Sequence, residues 1–422
     1  MAARGGNAVT NHQGTDRSGG DRRMRVIISA YAFGPCDESE ANAGWAFACA
    51  AAHDHDVWVI TRPRFADNIA SALDADPKLR AHLTVCYTDF SDAVLRFKRG
   101  PLDVYWYYTM WQRRVTKIAR ELHSHIDFDV AHHLTFAGDW LPCGLRRLPD
   151  VPLVWGPVGG STYLPWRLLK WVGFRGAVGE IARGVLSRAA RRVWGDPTAR
   201  RAAVVVAQNP DVAKRFSYAR RVVLETNSAT PDDLPTRNTD RGRQTKTAVF
   251  VGRLAEWKGA RLAVAALARP EAADWELHIY GTGRDLPAVT DLVERLDLTD
   301  RVVLHGHRPR TEAMQALADA DAMLFPSLHD SAPWAVGEAN AIGTPVVCLD
   351  LGGPPFLAGA NGHPVPVTGD VVGNLARALV KAGENPGVAS DRWSAGRLPA
   401  LVTDWYSNAA AARRPDRGHA AA

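Results

Sequence analysis

Two acidic residues eight positions apart, Asp330 and Glu338, lie in a stretch whose residue types suit a ligand that carries both hydroxyls and phosphate. Between two apolar runs of strand length, residues 333–342 form a short helical pattern that Gly343 ends. Pro333 suits the first helical turn, and the backbone N–H groups after it can hold an anion. Carboxylates accept hydrogen bonds from hydroxyls. The stretch therefore predicts a β-α-β unit that binds a nucleotide sugar; the alternative is an ordinary unit with two solvated acids.

Residues 325–350 resemble the C-terminal signature of family-four retaining glycosyltransferases of the GT-B fold. In that signature two Glu residues are separated by seven others. The second Glu is followed by a helix of small residues and then by Gly-Thr-Pro-Val-Val. Asp330, Glu338 and residues 343–347 occupy these positions. Asp330 is shorter than the usual Glu, and residues 331–334 replace the usual glycines, with a proline that removes one N–H donor. We therefore expect the fit around the donor sugar to differ from the family pattern.

Residues 251–259, Val-Gly-Arg-Leu-Ala-Glu-Trp-Lys-Gly, resemble a second motif of the same family. The resemblance implies that Arg253 and Lys258 grip the diphosphate of the donor. Cations aimed at this leaving group lower the barrier because its negative charge grows as the glycosidic bond breaks. The alternative is a pair of surface cations.

The resemblance also assigns the remaining donor contacts to the second half of the chain. It implies that Asp330 holds hydroxyls of the donor sugar, that Glu338 holds the ribose, and that the base lies near a predicted strand end. The predicted donor-binding residues are Asp330, Glu338, Gly252, Ser331, Trp334, Gly306 and His307. A Gly-x-Gly turn at 281–283 lacks the third glycine of a dinucleotide fingerprint, so no NAD and no other cofactor is expected.

Two adjacent histidines, His132 and His133, end a predicted strand at 128–135. The resemblance implies that one of them contacts the sugar, and parallel strands carry ligand sites at this end. Neighbouring strand residues face opposite ways, so only one of the two can do so. His133 is the preferred candidate, and a satisfied core histidine is the alternative.

Acceptor-side residues are predicted in two places in the first half of the chain. Ser39-Glu40 and Gly44-Trp45 resemble a pattern that many of these transferases carry near the acceptor, although a helix with Ser39 as N-cap explains them equally well. A Gly-Pro-Val-Gly-Gly loop at 156–160 lets the backbone approach a ligand, and the resemblance places it in the cleft between domains. The predicted acceptor or cleft residues are Glu40, Gly44, Gly159 and Gly160.

The chain has 422 residues and a mass of 45.9 kDa, which predicts two domains of roughly 200 residues each. Strands alternate with helices in both halves, so the predicted fold class is α/β, with two Rossmann-like domains and a cleft between them, as in GT-B proteins. The predicted divisions are a disordered leader at 1–23, a first domain at 24–228, a linker at 229–246, a second domain at 247–388, a C-terminal helix at 389–407 that crosses back to the first domain, and a tail at 408–422.

Charge and cysteine content exclude several classes of protein. A net charge of +6 and a pI near 9.1 are mild for this length, so no nucleic-acid partner is expected. The five cysteines are scattered and form no C-x-x-C pair, so a reducing compartment is expected and no zinc site. Without an apolar leader or a long apolar run, the expected location is cytoplasmic.

Residues 166–201 are the most basic part of the chain, with nine Lys or Arg residues, two acidic residues and four interleaved aromatic residues. One interpretation is peripheral contact with the inner face of an anionic membrane. The other, which the sequence analysis favours, is a surface helix or an arginine-lined acceptor cleft.

Together these residues predict a retaining, metal-independent glycosyltransferase of the hexosyl type, which moves a sugar from a nucleotide-diphosphate sugar to an acceptor hydroxyl. The acceptor is a polysaccharide, a lipid carrier or a small metabolite. Asp-x-Asp triplets occur at 54–56, 74–76, 127–129 and 319–321, but none has the context of a metal-dependent transferase. The alternatives are a GT-B epimerase or phosphorylase, a non-catalytic protein that binds nucleotide sugars, or a membrane-surface protein.

Overall fold

The computed structural model describes residues 23–97, 100, 103–238 and 245–412. Parts of four predicted divisions lie outside these residues: most of the leader, positions 98–99 and 101–102 of the first domain, positions 239–244 of the linker, and the tail after residue 412.

The strands of the first half form one parallel sheet. Its strands are β1 (Arg25–Ala30), β2 (Asp56–Thr61), β3 (Leu83–Tyr87), β4 (Val130–Thr135), β5 (Leu153–Val158), β6 (Val204–Ala207) and β7 (Val222–Leu224). Their spatial order is β3-β2-β1-β4-β5-β6-β7.

The strands of the second half form another parallel sheet. Its strands are β8 (Lys246–Val251), β9 (Trp275–Tyr280), β10 (Val302–Gly306), β11 (Ala322–Phe325), β12 (Val346–Leu349) and β13 (Gly362–Val365). Their order is β10-β9-β8-β11-β12-β13, so both sheets have the doubly wound arrangement.

Helices connect the strands and cover both faces of each sheet. Those of the first half are α1 (Ser39–Asp54), α2 (Ala66–Ala75), α3 (Pro77–His82), α4 (Asp92–Leu95), α5 (Asp103–Ile126), α6 (Gly173–Ala190), α7 (Asp196–Arg201) and α8 (Pro210–Arg215). Those of the second half are α9 (Ala260–Leu267), α10 (Leu286–Arg295), α11 (Arg310–Asp319), α12 (Trp334–Ile342), α13 (Pro354–Ala358), α14 (Val371–Glu384) and α15 (Leu398–Ala411). A 3₁₀ helix, Trp166–Val172, precedes α6, and a π-helical turn, Arg191–Gly195, follows it.

Each sheet is buried on both faces, as the apolar strands require. In β1 every residue from Val26 to Ala30 is buried, and in β11 and β12 every residue is buried. The last helix, α15, packs on the first sheet, where Trp405 stacks on Phe47 with ring centroids 5.8 Å apart. The predicted α/β fold with two sheets is confirmed, and a C-terminal segment contacts the first domain.

Several local predictions were wrong. β4 ends at Thr135 as predicted but begins at Val130 and not at Phe128, and the histidine pair occupies the middle of the strand and not its end. β13 was not predicted, because its sequence, Gly-His-Pro-Val, contains no apolar run of strand length. Glu38, whose side chain makes no capping hydrogen bond, stands at the N-cap of α1 in place of Ser39. Pro333 stands at the N-cap of α12 and not in its first turn. The last helix begins at Leu398, after a 3₁₀ turn.

Candidate active site

The predicted donor residues meet at the carboxyl edge of the second sheet. Arg253 and Lys258 follow β8, and Asp330 follows β11. These two strands are neighbours, and the sheet grows away from them in opposite directions, toward β9 on one side and β12 on the other. Open α/β sheets bind ligands at such a switch point. The topology therefore joins two motifs that are 72 residues apart in the chain.

Lys258 and Asp330 form an ion pair at this edge. The Lys258 Nζ atom lies 2.9 Å from Asp330 Oδ1 and 2.8 Å from Oδ2, and Ser327 Oγ donates a hydrogen bond of 2.8 Å to Oδ2. The side chains of Lys258 and Asp330 are 17% and 15% exposed. A charge so nearly buried is costly unless it is paired. Asp330 therefore fixes the position of the Lys258 ammonium group.

The ionisation state of Asp330 follows from the same contacts. Burial acts to raise the pKa of its carboxyl, but the charge of Lys258 and the hydrogen bonds from Lys258 and Ser327 outweigh it, and the pKa lies below the ordinary value. Asp330 is thus ionised at neutral pH. The pair as a whole is neutral, and the ammonium retains hydrogen-bonding capacity toward an anion.

Arg253 is exposed and lies against Trp257, the residue before Lys258. Its guanidinium carbon is 5.9 Å from the centre of the Trp257 ring, and within the described residues no carboxylate lies at ion-pair distance from it. Trp257 also stacks on His329, whose ring centre is 5.3 Å away. Burial lowers the pKa of His329 to about 4, so this imidazole is neutral at pH 7. Arg253 is therefore available to bind an anionic ligand.

Glu338 is paired with a residue that the sequence analysis missed, Arg310. The guanidinium lies 2.6 Å from Glu338 Oε1, and Glu338 is buried, with 7% of its side chain exposed. Arg310 begins α11, directly after the loop of Gly306 and His307. His307 is exposed, and Gly306 has the positive φ of +70° that lets the chain turn there. The proposed ribose and base contacts thus lie on adjacent elements.

Ser331 links the donor loop to the first domain. Its Oγ accepts a hydrogen bond of 2.9 Å from the Gly160 N–H, and its carbonyl accepts one of 3.2 Å from Asn209 Nδ2. A Cβ on Gly159 would lie 3.3 Å from Ser331 Oγ, so this loop tolerates little added bulk. Trp334, at the start of α12, packs against the core of the first domain. The predicted cleft loop and donor loop are therefore in direct contact.

A buried ion pair beneath the cleft loop was also missed. Arg191 and Asp139 approach to 2.5 Å with their side chains 6% and 0% exposed, and Ser161 Oγ donates to the same Asp139 oxygen at 2.5 Å. A Cβ on Gly160 would collide with Asp139 Oδ1 at 2.3 Å. The pair therefore fixes the backbone that reaches Ser331. In the sequence Arg191 is one of many basic residues of segment 166–201, and nothing in the local pattern marks Asp139.

Glu40 lies at the carboxyl edge of the first sheet. The Phe136 N–H donates to its Oε1 at 2.7 Å, and Asn227 Nδ2 lies 3.3 Å from Oε2. Burial raises the pKa of the Glu40 carboxyl, with the Phe136 hydrogen bond opposing that rise. Packing requires a glycine at position 44, because a Cβ there would lie 2.7 Å from the Ala32 carbonyl oxygen. Glu40 thus stands at the switch point of the first sheet, and Gly44 fits α1 against the chain after β1.

The two histidines are both buried in the structure. His132 Nδ1 accepts from Tyr406 O–H at 2.9 Å and Nε2 donates to the Gly156 carbonyl at 2.7 Å, so neither nitrogen is left for a sugar. His133 faces the other side of the sheet, with Nε2 3.0 Å from Tyr108 Oη, and within the described residues its Nδ1 has no hydrogen-bond partner. Burial lowers the pKa of His132 to about 4 and that of His133 to about 3. Both are neutral at pH 7, and a sugar contact by His133 stays a prediction.

No helix within the described residues is both long enough and apolar enough to cross a lipid bilayer. No group of three or more His, Cys, Asp or Glu side chains is arranged to hold a metal ion in that part of the chain.

Comparison with known proteins supports the assignment of the second domain. Residues 245–385 match the family model described as glycosyl transferases group 1, which confirms over this range the resemblance seen in the motifs. Solved structures match along nearly the whole chain. Anabaena HepE in complex with UDP and glucose has a TM-score of 0.57 at 16% identity, covering 91% of this chain and 100% of HepE. Sucrose-phosphate synthase of Thermosynechococcus elongatus has a TM-score of 0.57 at 18% identity, covering 92% and 96%. The chain has the GT-B fold.

Curated relatives match over a shorter range. The 2-deoxystreptamine glucosyltransferase of Streptomyces kanamyceticus is 32% identical over 158 residues, which is 35% of this chain and 39% of that protein. The D-inositol 3-phosphate glycosyltransferase of Corynebacterium diphtheriae is 30% identical over 135 residues, which is 28% of this chain and 32% of that protein. The chain thus spans about two fifths or less of the length of these relatives.

Proposed function

We propose that the protein is a retaining glycosyltransferase that moves a sugar from a nucleotide-diphosphate sugar to an acceptor hydroxyl in the cleft between its domains. The observation that carries this proposal is the Lys258–Asp330 pair at the switch point of the second sheet, with the exposed Arg253 against Trp257, the residue before Lys258. Two cations at such an edge, one fixed by a carboxylate and one exposed, suit a diphosphate.

A nucleotide sugar is the ligand that the surrounding residues favour. HepE, which shares the fold, has been solved with UDP and with UDP-glucose. In this chain the buried Glu338 pairs with Arg310, which directly follows the loop of Gly306 and His307. A carboxylate there accepts from ribose hydroxyls, and the loop offers backbone groups to a base.

Leaving-group stabilisation is the main chemical step that these residues support. As the bond to the sugar breaks, negative charge grows on the diphosphate, and Arg253 and Lys258 offset it without a metal ion. Removing one such preorganised donor typically costs about 10² to 10³ in rate. Asp330 contributes by positioning Lys258, and the carboxylate lone pairs that remain can accept from a hydroxyl of the donor sugar.

The carboxylates near the cleft favour a same-face mechanism. Asp330 is paired with Lys258, Glu338 with Arg310, and Glu40 accepts a hydrogen bond from the Phe136 N–H. A double-displacement reaction needs a carboxylate that is free to attack the anomeric carbon. In the mechanism we propose, the acceptor oxygen attacks on the face from which the diphosphate leaves. A phosphate oxygen of the donor then takes the acceptor proton.

A screen of donor hydrolysis tests the proposal. The full chain is incubated with a panel of UDP-, GDP- and ADP-sugars, and the free sugar and nucleotide are measured by mass spectrometry. We expect slow hydrolysis of one donor class, lost when Arg253 is changed to Met. NMR of the product anomer then tests retention. Isomerised donor would favour an epimerase, and binding of every donor without turnover by wild type would reject the enzyme assignment.

A further inference from the structure

Helix α6 carries large apolar residues on its outer face. Phe174, Val178, Ile181 and Val185 are between 52% and 85% exposed. Their spacing of four, three and four positions places them within an arc of about 60°, since successive helical residues are about 100° apart. They form one continuous apolar stripe, which we call the outer stripe.

The inner face of the same helix is small and polar. Gly184 and Ser187 are its buried residues, and a Cβ on Gly176 would lie 2.9 Å from the Val172 side chain. Glu180 and Arg183 pair with each other on this side at 2.8 Å. A surface helix of a soluble protein normally faces its apolar side inward. In α6 the apolar face points away from the protein and the polar face points toward it. An exposed apolar face of this kind indicates contact with an apolar surface outside the chain.

The residues around the outer stripe are basic. Segment 166–201 holds nine basic and two acidic residues, a net charge of +7, whereas the whole chain carries +6. The rest of the protein therefore has a net charge of −1. The exposed cations of this segment that form no ion pair within the described residues are Arg167, Lys170, Arg175, Arg188, Arg192, Arg200 and Arg201. Trp166, 75% exposed, begins the 3₁₀ helix that precedes α6.

We propose that α6 and the 3₁₀ helix before it dock on the surface of an anionic lipid bilayer. The outer stripe and Trp166 would enter the boundary between headgroups and acyl chains, and the exposed cations would contact lipid phosphates. Amphipathic helices with an apolar face and a basic rim bind membranes in this way. A second copy of the chain is a poorer occupant, because it would bring two segments of charge +7 together.

Helix α6 and the 3₁₀ helix before it are anchored to the rest of the protein, so the outer stripe is presented as one surface. Leu168 and Val172, from the 3₁₀ helix, are buried in the core of the second domain. Glu180 Oε2 lies 3.3 Å from His329 Nδ1, although not in hydrogen-bond geometry, one residue before Asp330. Arg183 of α6 also donates a hydrogen bond of 3.5 Å to the Thr162 carbonyl, so the segment touches both domains. Docking through it would hold the cleft at a fixed height above the lipid.

Vesicle binding by the full chain tests the proposal independently of any enzymatic activity. Vesicles of phosphatidylcholine alone are compared with vesicles of phosphatidylcholine and phosphatidylglycerol in equal amounts, by co-sedimentation. We expect binding to the anionic vesicles only, and weaker binding as salt rises. The double variant Phe174→Ser/Ile181→Ser should bind about tenfold or more weakly, because two inserted side chains are lost.

A matched variant removes apolar residues that are equally exposed elsewhere. Phe97 and Val388 are 73% and 75% exposed and lie outside α6, so Phe97→Ser/Val388→Ser should bind like wild type. Far-UV circular dichroism verifies that each variant is folded. Equal binding by wild type and Phe174→Ser/Ile181→Ser would overturn the proposal. So would a wild-type dimer, seen by light scattering, that binds no vesicle and that the same variant converts to a monomer.

Discussion

Replacing Lys258 by Met removes the charge from the centre of the site and keeps most of the side-chain volume. The change acts on two quantities at once. It deletes one of the two cations proposed to stabilise the leaving diphosphate, and it leaves the Asp330 carboxylate with Ser327 as its remaining side-chain partner. Activity and stability should therefore both fall, and the structure predicts that they can be separated.

The expected magnitudes follow from the burial of the pair. Losing one preorganised donor should lower the rate by about 10² to 10³, or about 2.7–4 kcal/mol of barrier. Leaving a buried partner unpaired costs about 3–5 kcal/mol of folding free energy, and with Asp330 still 15% exposed we expect the lower end, about 3 kcal/mol. The double variant Lys258→Met/Asp330→Asn removes the unpaired charge. It should recover most of the stability and none of the rate.

The assay measures both quantities on the same four proteins: wild type, Lys258→Met, Asp330→Asn and the double variant. Urea unfolding gives stability, and mass spectrometry of donor hydrolysis or transfer gives rate. Arg269→Met serves as the matched control, because Arg269 forms an exposed ion pair with Asp370, with side chains 40% and 52% exposed. Such a pair contributes about 0–1 kcal/mol, so neither quantity should change much.

Two results would refute the reasoning. A rate near wild type in Lys258→Met would show that the ammonium group does not act on the leaving group. A double variant that regains activity together with stability would show that the loss in the single variant came from misfolding and not from chemistry.

Three further predictions concern other groups of the site. Arg253→Met should lower the rate by about 10² to 10³ with an unchanged melting temperature, because Arg253 is exposed; a lowered melting temperature would contradict this. Glu338→Gln weakens the contact with Arg310 and should raise the donor KM by about tenfold, a charge-assisted hydrogen bond being worth about 1.5–3 kcal/mol, with a smaller change in kcat; an unchanged KM would reject the ribose role. The pKa of His132 is lowered to about 4, so its contribution to stability is complete above pH 6.5 and falls by about 1.4 kcal/mol per unit as pH drops toward 4. Urea unfolding between pH 7 and pH 5 should show a smaller loss for His132→Gln than for wild type, and equal losses would refute it.

The local patterns of the chain predicted most of the fold. Apolar runs of strand length alternate with helical stretches. Each of these patterns depends only on a residue and its near neighbours in the sequence, so it can be recognised without the fold. The motifs after β8 and β11 were assigned to one donor site by the family resemblance, and the structure brings them to one sheet edge because parallel strands end on the same side. β13 escaped because Pro364 interrupts its pattern, and the N-cap of α1 was misplaced because a serine at a helix start is a tendency and not a rule.

Contacts across the fold could not be predicted in this way. Arg310 and Asp139 carry no local signal, because their partners Glu338 and Arg191 are selected by sheet order and helix packing. The histidine pair illustrates the same limit. Sequence correctly places its members on opposite faces of β4, but only the packing of α5 and α15 shows that both are buried.

The sequence by itself determined that this is a two-domain α/β protein with a cation motif and an acidic motif suited to a nucleotide sugar. The tertiary structure decided that Lys258 and Asp330 form one unit, that Ser331 joins the two domains, and that α6 turns its apolar side outward. The physical reason is the separation along the chain of the residues that interact. Secondary structure follows from residues a few positions apart, whereas a buried charge must find its partner wherever the folded chain brings one within hydrogen-bond distance.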